Sequence, residues 1–113
     1  MSARPRELES YSLVLLRRGP NAPELPDEEA DRLQEAHLAH LQEMRERGAM
    51  VAAGPFRDQE DETLRGLCLY VVGLEETRAL AEADPSVRAG RMAVDVMRWL
   101  TPRGELALPR FRP

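Results

Sequence analysis

The chain's only two imidazoles, His37 and His40, stand three residues apart in Arg32-Leu-Gln-Glu-Ala-His-Leu-Ala-His-Leu41. An imidazole titrates nearest neutrality, so either could serve as a general acid or base. A histidine centred on a core-facing stripe can equally be a structural core residue. Asp84, in Ala83-Asp-Pro-Ser-Val87, is the second residue of interest. An Asp-Pro pair serves as a turn or as a cap for the segment after it. A carboxylate beside an imidazole would instead fix its tautomer and raise its basicity. Gly54 and Pro55 follow an apolar run, either as a bulge ending a strand or as a backbone wall that a small ligand can approach. Tyr70 and Trp99 could line a pocket or belong to core and interface.

Other chemistries are excluded by residue type. All 16 basic residues are arginine. Without lysine, Schiff-base catalysis by a lysine side chain and a Walker-type phosphate lysine are both excluded. Cys68 is the single cysteine, so no internal disulfide or cysteine cluster can form. His37 and His40 could place two ligands on adjacent helical turns, but no third ligand converges with them, and no metal is expected. No glycine-rich dinucleotide or phosphate loop is present, and no cofactor is expected.

The elements that must position these residues follow from periodicity and punctuation. Residues 11–16 read as a first strand, and the proline-rich stretch at 17–26 as a loop. Pro26 and the acids after it open a helix that runs to about Arg47 and stops at Gly48. Along it Ala30, Leu33, His37, Leu41 and Met44 fall within an arc narrower than about 90°, with His37 near its middle. His40 lies at the edge of that arc. Residues 49–56 form a second strand, distorted near Gly54-Pro55, and an acidic turn leads to a third strand at 67–72. A short helix spans 74–83, residues 86–90 form one more turn, and a fourth strand spans 91–100. The order β-α-β-β-α-β is that of a ferredoxin-like α+β fold, with a four-stranded antiparallel sheet and two helices on one face.

The first and third strands are apolar at both parities, which a sheet with one wet face would not be. Two helices cover one face, so a second copy of the chain is expected on the other, giving a homodimer. The alternative cover is the C-terminal tail. In the fourth strand Arg91, Ala93, Asp95, Met97 and Trp99 share the outer parity, with Arg91 a candidate partner for Asp95. Met92, Val94 and Val96 face the helices.

With 113 residues the chain is one domain, expected over residues 10–101, with a flexible segment at 1–9 and a tail at 102–113. A net charge of −4 offers no basic field for nucleic acid. No apolar run is long enough to span a membrane, and the N-terminus lacks a secretory pattern, so a cytoplasmic protein is expected.

The blocks Arg32 to Leu41, Arg47-Gly-Ala-Met-Val-Ala-Ala-Gly-Pro55 and Ala81-Glu-Ala-Asp-Pro-Ser-Val-Arg-Ala-Gly90 resemble the YCII-related (YciI-like) family in type, order and spacing. The resemblance covers about residues 10–101. It implies a dimeric α+β barrel made by sheet-to-sheet packing, and an active-site histidine–aspartate pair. The histidine before Leu-Ala corresponds to His37 rather than His40, and the aspartate before proline to Asp84. The Gly-Pro pair corresponds to Gly54 and Pro55. Ser86 stands where many relatives carry a bulky or aromatic residue, which alters pocket shape and adds it to the substrate-binding wall.

The expected function is cofactor-independent acid–base chemistry, elimination or isomerisation, on a small organic molecule. His37 would move the proton and Asp84 would orient it, within hydrogen-bond reach at the wall of a small cavity. The alternative is a non-catalytic ligand-binding or assembly protein of the same fold.

Overall fold

Alternation of side chains along an extended segment decides which strand residues meet the helices. In β1 (Leu8–Arg18), Ser12, Val14 and Leu16 are buried, while Leu13 and Leu15 are half-buried on the opposite face. In a computed structural model that describes residues 7–107, β1 is followed by α1 (Asp27–Glu46), β2 (Met50–Pro55), β3 (Leu64–Tyr70), α2 (Leu74–Glu82), α3 (Pro85–Arg88) and β4 (Met92–Pro102). The strands form one sheet in the order β2-β3-β1-β4 with every neighbouring pair antiparallel. This is the ferredoxin-like α+β arrangement that the element order predicts.

The amphipathic arc of α1 presses His37, Leu41 and Met44 into the interior. There Leu41 and Met44 join Val14, Leu16, Met50, Cys68, Tyr70 and Ala81 in one core. Met92, Val94 and Val96 pack against the same core, as the β4 parity requires. Asp27, Glu28 and Glu29 lie in the first turn of α1, where the helix dipole favours negative charge. Gly48 adopts a left-handed φ of 74° just past its end. The α2 helix is tied to the sheet through one carbonyl: Ser12 and Thr77 both donate to Val72 O, at 2.8 and 3.3 Å.

Several details differ from the sequence reading. The first and last strands extend further, from Leu8 in β1 and to Pro102 in β4. β3 begins at Leu64, because the turn before it is closed by Asp61, which accepts from the Thr63 amide and hydroxyl. The irregularity in β2 falls between Met50 and Ala52, while Gly54 and Pro55 pair with Leu67 and Gly66. Asp95 is bound by Arg17 Nε at 2.5 Å, from the neighbouring strand. Arg91, its expected partner, instead donates to Pro23 O at 2.8 Å.

The outer face carries Leu13, Leu15, Leu67, Leu69 and Trp99 around an apolar groove that Leu106 also lines. Trp99 is 39% exposed and lies 6.1 Å from Tyr11, centroid to centroid. Residues 108–113 of the C-terminal tail, the alternative cover for this face, lie outside the described residues, as does most of the 1–9 segment. Among the described residues, no helix is long and apolar enough to cross a membrane.

Where β1 leaves the sheet, its backbone touches the start of β4. Gly19 N donates to Arg91 O at 2.9 Å, and a Cβ on Gly19 would sit 2.1 Å from Gly90 O. Gly19→Ala therefore forces these two segments apart. It should cost about 1–3 kcal/mol and lower the melting temperature by roughly 10 °C. Thermal unfolding followed by circular dichroism measures this, and an unchanged midpoint would contradict the contact.

Candidate active site

The short α3 helix begins with Asp84 as its cap and Pro85 in its first turn, where a missing N–H costs nothing. Asp84 Oδ1 accepts from the Ser86 amide at 2.9 Å and from the Ser86 hydroxyl at 2.7 Å. Its other oxygen, Oδ2, lies 2.5 Å from His37 Nδ1. Capping and pairing with His37 are thus divided between two oxygens of one carboxylate. The α1 helix packs against α3 and β2, and this contact brings His37 to Asp84. His37 is 7% exposed and Asp84 2%.

Burial pushes the Asp84 carboxyl up, but hydrogen bonds from His37 and from the Ser86 hydroxyl and amide, with the His37 charge, outweigh it and leave it below the ordinary carboxylate value. Asp84 is therefore ionised at neutral pH, and the proton between the pair belongs to His37 Nδ1. In the neutral imidazole this leaves the lone pair on Nε2. No described residue bonds that nitrogen, and it is not sealed from solvent-accessible space. His37 lines a cavity of about 530 Å³ between α1 and the sheet, so Nε2 opens toward it. The Nε2 of His40 is a different case: it is buried without a partner.

The same cavity is lined by Gly54, Pro55 and Ser86. The structure thus brings His37, Gly54, Pro55 and Ser86 to one cavity, with Asp84 bonded to His37. A Cβ at Gly54 would meet nothing within 4 Å, so its bare backbone faces open space. Gly66 is a glycine the sequence reading passed over. A Cβ there would lie 2.7 Å from Gly54 O, so its absence lets β2 and β3 close beneath the cavity. Its position opposite Gly54-Pro55 in a hairpin was the available signal.

Two other titratable groups near the site are chemically quiet. Burial pushes the Cys68 thiol up to about 12, with the Asp84 charge adding and Arg45 opposing, so it stays a protonated thiol near neutrality. Burial likewise raises Tyr70 above its ordinary value, with smaller contributions from Cys68 and Asp84. Tyr70 is 1% exposed and belongs to the core. Among the described residues, no three His, Cys, Asp or Glu side chains converge where a metal ion could be held.

The chain is thus an α+β domain of ferredoxin-like order, with His37 at the wall of a cavity and Asp84 bonded to it. Residues 11–100 match the model of the YCII-related domain, and the chain belongs to that family. Among solved structures, the chain is similar to 5-chloro-2-hydroxyhydroquinone dehydrochlorinase from Burkholderia phenoliruptrix AC1100, in complex with 2,5-dihydroxybenzoquinone. That likeness has a TM-score of 0.51 and 23% identity, covering 79% of this chain and 92% of that one. At this identity it establishes a shared fold. No curated protein matches the chain by sequence.

The depressed Asp84 value has a thermodynamic consequence. A carboxylate whose folded value lies below its unfolded one stabilises the fold above the unfolded range, near about pH 4. That stabilisation is lost as pH falls through the folded value. Asp84→Asn should therefore be less stable at pH 7 and should lose less stability than the native chain on acidification. Urea unfolding across the acid range reads both effects. Parallel pH profiles for the two proteins would contradict the assignment.

Proposed function

We propose that the protein is a cofactor-independent enzyme in which His37 moves a proton on a small organic molecule. The observation that carries this reading is the 2.5 Å contact between His37 Nδ1 and Asp84 Oδ2, which leaves Nε2 free toward the cavity. A volume of about 530 Å³ suits a ligand of ordinary metabolite size.

In the forward step Nε2 takes a proton from a carbon next to a carbonyl. The C–H bond breaks, and its electron pair moves into the carbonyl to give an enolate. Asp84 stabilises the imidazolium that forms and keeps its ring oriented. For an isomerisation, the proton returns to a different carbon of the delocalised anion. For an elimination, the electron pair expels a leaving group with its bonding electrons. The dehydrochlorinase neighbour, named for acting on a chlorinated hydroxyhydroquinone, supports the second outcome as the first to assay. Ser86, which holds Asp84, and the bare backbone of Gly54-Pro55 form the wall against which the substrate would lie.

The first assay is chloride release from 5-chloro-2-hydroxyhydroquinone, followed by solvent-deuterium uptake into a panel of small carbonyl compounds. On whichever compound turns over, His37→Gln should lower the rate by about 100-fold or more while the fold is kept. Asp84→Asn should lower it by about 10- to 100-fold, the scale expected when an imidazole loses its orienting partner. A folded His37→Gln variant with native turnover would overturn the proposal. So would a protein that binds these compounds but exchanges no proton, which would favour ligand binding without catalysis.

The proposal extends to assembly as a homodimer through the outer sheet face. Its support is the apolar groove bordered by Leu13, Leu15, Leu69 and Trp99. Light scattering at micromolar concentration should give about twice the 12.8 kDa chain mass. Replacing Leu15 with Glu should shift the protein to the monomer mass. A native chain that is monomeric at that concentration would contradict this.

A further inference from the structure

We propose that the cavity selects a small, flat carboxylate, held by the arginines around its walls. This rests on the catalytic reading of His37 for its chemistry but on different residues for its binding.

The chain is acidic overall, with 20 carboxylate side chains against 16 arginines. The cavity reverses that sign. Arg18, Arg45, Arg65 and Arg91 all line it, and among the described residues no Asp or Glu does. The four come from separate parts of the fold: the last residue of β1, the last turn of α1, the start of β3 and the residue before β4. The antiparallel topology brings the end of β1 and the starts of β3 and β4 to one end of the sheet.

Elsewhere in the fold Arg17 pairs with Asp95 and Asp61, Arg47 with Glu43, and Arg103 with Glu7. None of the four cavity arginines is ion-paired among the described residues. Only Arg91 has a hydrogen-bonded side chain, and its acceptor is the neutral Pro23 carbonyl. Four positive charges thus line one concave site with no carboxylate among its lining residues, a field that favours an anionic ligand. A guanidinium stays charged at any physiological pH and offers planar paired N–H donors that match a carboxylate.

The remaining walls define the rest of the ligand. Ala30, Leu33, Leu41 and Met92 are apolar and suit a ring or unsaturated chain. The Ser86 amide is spent on Asp84, so it cannot join a backbone cradle for phosphate. A carboxylate anchored on the arginines would occupy the same cavity that His37 lines. The same positive charge would stabilise the enolate oxygen after proton removal.

Isothermal titration of the full chain with benzoate, benzamide, phenyl phosphate and inorganic phosphate tests this. Benzoate should bind about tenfold or more tightly than benzamide, since charge-assisted hydrogen bonds are lost with the neutral isostere. Its affinity should fall as sodium chloride is raised. Arg65→Gln, at an exposed position, and Arg45→Gln should each weaken benzoate by about threefold or more, and together by about tenfold or more, with native circular dichroism. Equal binding of benzoate and benzamide would overturn the proposal. So would binding of the phosphates without benzoate, or native benzoate affinity in the folded double variant. The two readings fail separately. Benzoate binding that depends on the arginines would stand even if His37→Gln left turnover intact. Turnover abolished by His37→Gln would stand even if the arginines proved irrelevant.

Discussion

One carboxylate holds the site together. Asp84 caps α3 with one oxygen and engages His37 with the other. The cap fixes where α3 starts, and the pairing fixes how α1 lies against it. An ionised group so little exposed is costly unless its lone pairs are filled. Here three hydrogen bonds fill them, from His37 Nδ1 and from the Ser86 amide and hydroxyl. The same bonds keep Asp84 ionised and so assign the His37 proton to Nδ1. Helix docking, electrostatics and the direction of the free lone pair are one constraint seen from three sides.

The sheet supplies what that pair cannot. Gly66 lets β2 and β3 close beneath the cavity, and Gly19 lets the end of β1 touch the start of β4. These close approaches bring the ends of the strands together below α1. The His–Asp pair lies on the helix-covered side, while the opposite face carries the apolar groove, with the Arg17–Asp95 ion pair also on that face. Site and proposed dimer surface therefore lie back to back, and Gly54 borders both.

Much of this was legible in sequence. The arc of Ala30, Leu33, His37, Leu41 and Met44 is a local property of a regular helix, and it pointed His37 inward. Strand parity likewise sorted Met92, Val94 and Val96 from Trp99. Features that depend on contact between distant segments were less accessible. The partner of Asp95 is Arg17 because β1 and β4 lie side by side in a register that places them within reach. Arg91 lies just before β4, lines the cavity and donates to Pro23 O instead. The bulge in β2 falls before Ala52, although proline and glycine punctuation pointed to Gly54-Pro55. The convergence of Arg18, Arg45, Arg65 and Arg91 carries no spacing signal, because each belongs to a different element. The family resemblance supplied the approach of His37 to Asp84, which periodicity leaves open.

The account turns on which nitrogen of His37 carries the proton in the neutral ring. A long-range proton–nitrogen NMR spectrum of the labelled protein, with Asp84→Asn used to assign His37, measures this directly. The account predicts that Nδ1 is protonated and Nε2 bears the lone pair, with the Nδ1 proton shifted downfield by Asp84. A neutral His37 protonated on Nε2, or one exchanging freely between the two tautomers, would contradict it.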